Sequence, residues 1–137
     1  SVIPATISLE IRDEAKTIAK KISEKLKYIG TMCVEFFIDK ENKLYVNEIA
    51  PRVHNSGHLT INAFNVSQFE NHVRAVCDLE KIELQKKSNA KMVNIIGGEI
   101  KEYRGKTLKK NQFLFDYLKK EIKDKRKMGH ITTLLDT

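Results

Sequence analysis

Thr31-Met-Cys-Val-Glu-Phe-Phe-Ile-Asp-Lys-Glu-Asn-Lys-Leu-Tyr-Val-Asn-Glu-Ile-Ala-Pro-Arg-Val-His-Asn-Ser-Gly-His58 is the stretch around which the chain is organised. Its runs 31–38 and 43–50 are rich in β-branched and aromatic residues, and Asp39–Asn42 between them is polar turn material. This pattern predicts a β-hairpin. A loop of Asp39–Asn42 sets Ile38 opposite Lys43, whereas a two-residue loop sets Lys40 opposite Lys43. Paired positions then sum to an odd number in either register, so Glu35 and Glu48 share one side of the sheet, directly opposite or diagonal. Met32, Val34, Phe36, Ile38, Tyr45 and Ile49 are expected on the other side, as the core face.

Two carboxylates on one face repel unless a cation or a proton lies between them. Such hard oxygen ligands suit Mg2+, which commonly takes one or two carboxylates together with nucleotide phosphates. The plainer reading is a pair of solvated surface acids. The residues after Glu48 favour a site: Ala50-Pro51-Arg52 and His54-Asn-Ser-Gly-His58 place many hydrogen-bonding groups directly after a strand end. The two histidines are not read as a zinc motif. Ser56 and Gly57 disfavour a helix that would align both imidazoles, and no cysteine or acidic third ligand is expected nearby.

The chain has 137 residues, enough for one domain with a real core, and 41% hydrophobic and 31% charged residues, which are globular values. No apolar run reaches the length of a membrane span, and no signal peptide is visible. Cys33 and Cys77 lie in apolar strand and helix patterns and are expected to be reduced, buried thiols of a cytoplasmic protein. The net charge of +7 suits a phosphorylated small molecule as well as a nucleic acid. No helix-turn-helix, zinc-finger spacing or aromatic RNA-binding box accompanies it, so nucleic acid is not expected as a partner.

Ser8 is the expected N-cap of a helix whose Ile11, Ala15, Ile18, Ala19, Ile22 and Leu26 recur at helical spacing. Ser67-Gln-Phe-Glu70 reads as a capping box opening a second helix, to Asp78, that buries Phe69, Val73, Val76 and Cys77 and leaves His72 and Arg74 at the surface. Residues 81–90 read as a linker of charge and polarity, and Lys91–Ile96 as a strand ending at Gly97-Gly98. Leu108–Lys120 has partial helical spacing.

Glu35 with its flanking residues, Asn47-Glu-Ile-Ala-Pro-Arg52, His54–His58, Ser67–Glu70 and Arg126-Lys-Met-Gly-His130 together resemble, in order and over the whole chain, the end of the 5-(carboxyamino)imidazole ribonucleotide synthetases. These are ATP-grasp ligases of purine synthesis. The resemblance implies an α+β fold: the C-terminal lobe of an ATP-grasp domain, an antiparallel sheet with covering helices, over residues 1–80, and a small β-rich C-terminal subdomain over 91–137. It implies a strand where the spacing of 108–120 also permits a helix. A glycine-rich phosphate loop is absent from the sequence, so the chain is expected to be roughly the C-terminal third of such an enzyme and inactive alone.

The chemistry that the resemblance implies is carboxylation of aminoimidazole ribonucleotide, with ATP activating bicarbonate as carboxyphosphate and ADP and phosphate released. Glu35 and Glu48 would hold Mg2+, with Asn47 assisting at the nucleotide. Arg52, His54 and Asn55 would line the place where bicarbonate and the amine meet. Lys120, Arg126 and Lys127 would grip the ribonucleotide phosphate, and His130 would brace the turn. The family's pattern usually has Tyr, Arg and Gly where this chain has Leu118, Lys123 and Lys125. The whole enzyme would be a homodimer. Charge alone would read 120–130 as a solvated basic face. Two alternatives stand beside this reading: another ATP-grasp ligase, such as a formate-dependent glycinamide ribonucleotide transformylase or a biotin carboxylase, and a basic, non-catalytic binding or dimerisation module.

Overall fold

A computed structural model describes residues 1–135. In chain order the elements are β1 (Val2–Ile3), α1 (Leu9–Leu26), β2 (Cys33–Ile38), β3 (Leu44–Ala50), α2 (Thr60–Ala63), α3 (Gln68–Val76), β4 (Asn89–Ile96), α4 (Ile100–Tyr103), β5 (Gln112–Asp116) and β6 (Lys127–Leu135), with 3-10 turns at Asn55–Gly57 and Gly97–Glu99. The fold is α+β with antiparallel sheets, as expected. It divides into two compact units. A hairpin unit holds Ala5–His58 and Val66–Leu84, and a sheet unit holds Ser1–Pro4, Leu59–Asn65 and the described residues from Gln85 on.

In the hairpin unit, the Ser8 hydroxyl accepts the Ile11 N–H at 3.3 Å and so caps α1. The helix stops at Lys27, which takes a left-handed conformation and turns its N–H back to Glu24. Ile11 is its buried residue. In α3 the Ser67 hydroxyl accepts the Glu70 N–H at 3.1 Å, and the Glu70 carboxylate takes Arg74 at 2.9 Å. The expected buried face of α3 is corrected: Phe69, Val73, Val76 and Cys77 are exposed, and Gln68 is the buried residue. His72 is partly buried and accepts the Thr31 N–H at 3.1 Å.

The sheet unit is one four-stranded antiparallel sheet of order β1-β4-β6-β5. Its alternation puts Ala90 and Met92 on one face, packed with Leu59 and Ala63 of the α2 region and with Ile3, Phe64 and Leu134. Ile95 and Ile131 lie on the other, with Ile100, Met128, Tyr103, Leu108, Leu114 and Ile122. β4 begins at Asn89, and Ala90 is already fully buried. Gln112–Asp116 is a strand, not helix, because pairing Phe113 with Thr132 and Phe115 with His130 completes the sheet edge. Tertiary pairing overrides a partial helical spacing there.

Candidate functional site

The hairpin differs in register from both sequence expectations, yet it brings the two acids together. Asp39 organises the turn: its Oδ1 accepts the N–H groups of Glu41 at 2.9 Å and Lys43 at 2.8 Å, while its own N–H donates to the Lys43 carbonyl at 3.1 Å. These bonds, led by that from the Lys43 backbone, hold the Asp39 carboxyl below the usual carboxylate range. Asn42 takes the left-handed conformation with φ 63°. Ile38 therefore pairs with Leu44, and paired positions sum to an even number. Continued unbroken, that ladder would set Glu35 opposite Asn47 and turn Glu48 to the far face. A bulge between Glu35 and Phe36 shifts the register, so that Glu35 pairs directly with Glu48. Asn47 is the extra residue, and its Nδ2 donates to Glu35 Oε2 at 3.2 Å. The same register sets Tyr45 opposite Phe37 on the acid side, not on the apolar face where alternation alone would put it.

The loop after β3 adds an imidazole to this face. His54 Nε2 stands 3.5 Å from Glu35 Oε1, with the histidine side chain 17% and the glutamate 38% exposed. Its Nδ1 meets the Ser56 hydroxyl at 2.9 Å and the Ser56 N–H at 3.3 Å. Buried Gln68 holds this loop from beneath. Its Oε1 accepts the His54 N–H at 3.0 Å, and its Nε2 donates to the His54 carbonyl at 2.8 Å and to His58 Nδ1 at 2.7 Å. A Cβ at Gly57 would lie 2.5 Å from Gln68 Oε1, so glycine is needed there for the amide to reach the loop. His58 stacks on Phe69 with ring centroids 5.3 Å apart. The two histidines thus part company: His54 joins the acids and His58 joins the scaffold. Arg52 is exposed, its Nη1 donating to the Val53 carbonyl at 3.0 Å, and Asn55 opens the 3-10 turn.

Cys33 completes the cluster. Its sulfur, a Glu35 oxygen and a His54 ring nitrogen all lie within 4.8 Å of one another, and Sγ is 3.8 Å from the Ser56 hydroxyl. Burial pushes the thiol pKa up; the Ser56 contact opposes this, and the charges of Glu35 and Glu48 add to it. The sequence expectation that no cysteine or acid stands near His54 is therefore overturned. The hairpin carries Cys33 and Glu35 across to a histidine some twenty positions away.

The basic residues lie in the sheet unit. Lys120, Arg126 and Lys127 are exposed in the connection from β5 to β6 and at the first position of β6. The Arg126 carbonyl accepts the Gly97 N–H at 2.9 Å, and its own N–H donates to the Lys123 carbonyl at 3.2 Å. Lys119 braces the connection, its ammonium donating to the Lys127 carbonyl at 2.6 Å and lying 5.2 Å from the Tyr117 ring centroid. Leu118 and Lys125 both take left-handed backbone, with φ 52° and 61°. His130 reaches the start of the β5–β6 connection from within the sheet. It is buried within β6, stacked on Phe115 at 5.4 Å, with Nδ1 3.0 Å from the Tyr117 hydroxyl. Gly129 before it is required by space, since a Cβ would lie 2.6 Å from the Phe115 carbonyl oxygen.

The ATP-grasp domain family model matches residues 1–69. The chain belongs to the ATP-grasp family. Residues 90–137 of this ATP-grasp chain match a second family model, the phosphoribosylaminoimidazole carboxylase C-terminal domain. Among curated relatives, the N5-carboxyaminoimidazole ribonucleotide synthase of Brucella melitensis is 42% identical over 134 residues, covering 98% of this chain and 37% of the relative. The crystal structure of N5-carboxyaminoimidazole synthetase from Staphylococcus aureus complexed with ADP is 41% identical with a TM-score of 0.88, covering 99% of this chain and 37% of that one. The Aspergillus clavatus synthase, in complex with ADP and 5-aminoimidazole ribonucleotide, is 34% identical with a TM-score of 0.91, covering 99% and 39%. The ATP-grasp chain thus spans little more than a third of the length of the proteins it matches.

Sequence reasoning missed two residues of the ATP-grasp hairpin unit that matter for its loop face. Gln68 looks like the second residue of a capping box, and nothing in its neighbours points to His54. Cys33 looks like an ordinary strand residue, although it stands two positions before Glu35 and therefore on the same face.

Proposed function

We propose that this chain supplies the metal–nucleotide acids and the ribonucleotide-phosphate grip of an ATP-dependent carboligase that carboxylates aminoimidazole ribonucleotide with bicarbonate. The observation that carries the reading is the direct pairing of Glu35 with Glu48 across the hairpin, with Asn47 turned to the same side by the bulge. That donor set is all hard oxygen, which fits Mg2+. The ion would be held by Glu35 and Glu48, and when bound it neutralises charge on the nucleotide phosphates. The Asn47 amide orients Glu35. Arg52, His54 and Asn55 offer N–H donors toward bicarbonate, and the backbone of His54 is held at both polar groups by Gln68. Lys120, Arg126 and Lys127 carry fixed positive charge for a phosphate, arginine by a bidentate contact and lysine as a point charge. The matched proteins support ATP and aminoimidazole ribonucleotide as substrates, because the Aspergillus structure is a complex with ADP and the ribonucleotide. A cytoplasmic homodimer is the assembly this reading expects; among the described residues no helix is long and apolar enough to cross a membrane.

The test joins this chain to the N-terminal remainder of the Staphylococcus aureus relative, in place of that protein's own matching segment. ADP release by the chimera is expected to require both bicarbonate and aminoimidazole ribonucleotide. Glu48→Ala should lower kcat/KM by roughly 100-fold or more, since loss of a metal ligand removes charge stabilisation from phosphoryl transfer. Near-normal turnover in Glu48→Ala would remove the acid pair from the mechanism.

A further inference from the structure

We propose that Cys33, Glu35 and His54 form a second, overlapping site on the hairpin face, one that takes a thiophilic divalent cation such as Zn2+ and withdraws Glu35 from its pairing with Glu48. A sulfur, a carboxylate oxygen and an imidazole nitrogen are a donor set that magnesium does not select and zinc does. All three donor atoms lie within 4.8 Å of one another, and the nitrogen–oxygen separation is 3.5 Å. Metal–ligand bonds of about 2.0–2.3 Å in a tetrahedron hold their donor atoms roughly 3.3–3.7 Å apart. Side-chain rotation alone therefore closes the set around an ion.

The supports of the site point the same way. Cys33 and Glu35 are two positions apart on β2 and project from one face. His54 comes from a loop whose backbone N–H and carbonyl are both held by buried Gln68, so the imidazole is anchored before any ion arrives. A metal-bound histidine needs a partner for its other nitrogen, which fixes the tautomer. Here Nδ1 accepts the Ser56 N–H at 3.3 Å and lies 2.9 Å from the Ser56 hydroxyl. When Nε2 gives its lone pair to an ion the ring proton moves to Nδ1, which exchanges the N–H contact for a bond donated to that hydroxyl. On binding, the Cys33 thiol gives up its proton to solvent and the sulfur–metal bond forms. Three protein ligands leave a fourth position for water. Glu35 then belongs to two sets, the oxygen set with Asn47 and Glu48 and the mixed set with Cys33 and His54, and one cation excludes the other.

The experiment uses this 137-residue chain, made metal-free, with Co2+ as the spectroscopic probe and Zn2+ as competitor, and it does not depend on the carboligase reading. Cobalt is expected to bind with one-to-one stoichiometry, giving intense tetrahedral ligand-field bands and a thiolate-to-cobalt charge-transfer band, all displaced by Zn2+. Cys33→Ser should abolish the charge-transfer band, whereas Cys77→Ser should keep it. Cys33→Ser and His54→Gln should each weaken zinc binding by at least roughly 10–100-fold, the loss that disruption of a ligand's support alone produces. A weak octahedral cobalt spectrum without charge transfer in the unmodified chain overturns the proposal whatever the variants do. So does a band that tracks Cys77, or zinc affinity unchanged in a folded Cys33→Ser protein.

Discussion

The hairpin and the four-stranded sheet are both antiparallel and both rich in alternating apolar residues, but they use that pattern differently. In the sheet, each face meets its own cluster, Ala90 and Met92 with Leu59 and Ala63 on one side and Ile95 and Ile131 with Ile100 and Met128 on the other. In the hairpin, Phe37, Ile38, Tyr45, Val46 and Ile49 are all exposed, and the order comes from the Asp39 turn, the bulge and the Gln68 amide. The sheet is held by burial, which tolerates little loss of volume. The hairpin is held by directed bonds, which leave one face open for charged groups. Substitutions should therefore cost stability in the sheet and binding in the hairpin.

The largest expected effect tests the sheet. Ile95→Ala should destabilise the protein by about 2–5 kcal/mol, because Ile95 is 1% exposed and its cavity cannot refill. Urea unfolding measures this, and a loss near zero would mean that the Ile95 cluster is not a rigid core. Next in size is Lys125→Gly, expected to stabilise by about 0.5–1 kcal/mol. Lys125 sits at φ 61°, a conformation that glycine adopts without steric cost. Thermal unfolding would show a raised midpoint, and a fall would mean that the lysine side chain makes a contact worth more than the strain.

Opposite in sign to the core variant, Glu48→Gln should leave unfolding free energy unchanged or raise it by about 0.2–1 kcal/mol, since it removes one of two like charges paired across strands. Were it to destabilise as Ile95→Ala does, the contrast between the two regions would fail. The smallest effect concerns pH. Arg104 donates to Asp116 at 2.7 Å and 3.2 Å and holds that carboxyl below the usual range. A lowered folded-state pKa contributes stability above the unfolded value that is lost as pH falls through the folded one. Arg104→Ala should therefore lower the unfolding midpoint at neutral pH, and the difference should shrink as acid protonates Asp116. A difference that persists unchanged in acid would place the effect in packing.

How far the site is legible in the sequence depends on whether its residues are neighbours along a strand or only in space. That Glu35 and Glu48 share a face is reached by parity from a two- or four-residue turn. The turn instead has Asn42 left-handed and an even pairing sum, which reverses the parity, and the bulge at Asn47 reverses it again. Two irregularities cancel, and neither has a strong composition signal. The apolar positions of α3 are misplaced for another reason: helical spacing reports which residues could be buried together, not whether anything covers them. His130 shows the same limit, its motif position being legible and its burial beside Phe115 not.

From the chain alone came the antiparallel α+β class, the Ser8 and Ser67 caps, the hairpin and the two polar stretches, because each is written in residues close together in sequence. Only the tertiary structure decided which donors meet. The register shift that opposes Glu35 to Glu48 and the amide that pins His54 depend on hydrogen bonds between segments, and so does the arrival of Cys33 beside both. The geometry of such bonds belongs to the folded backbone, and no single segment encodes it.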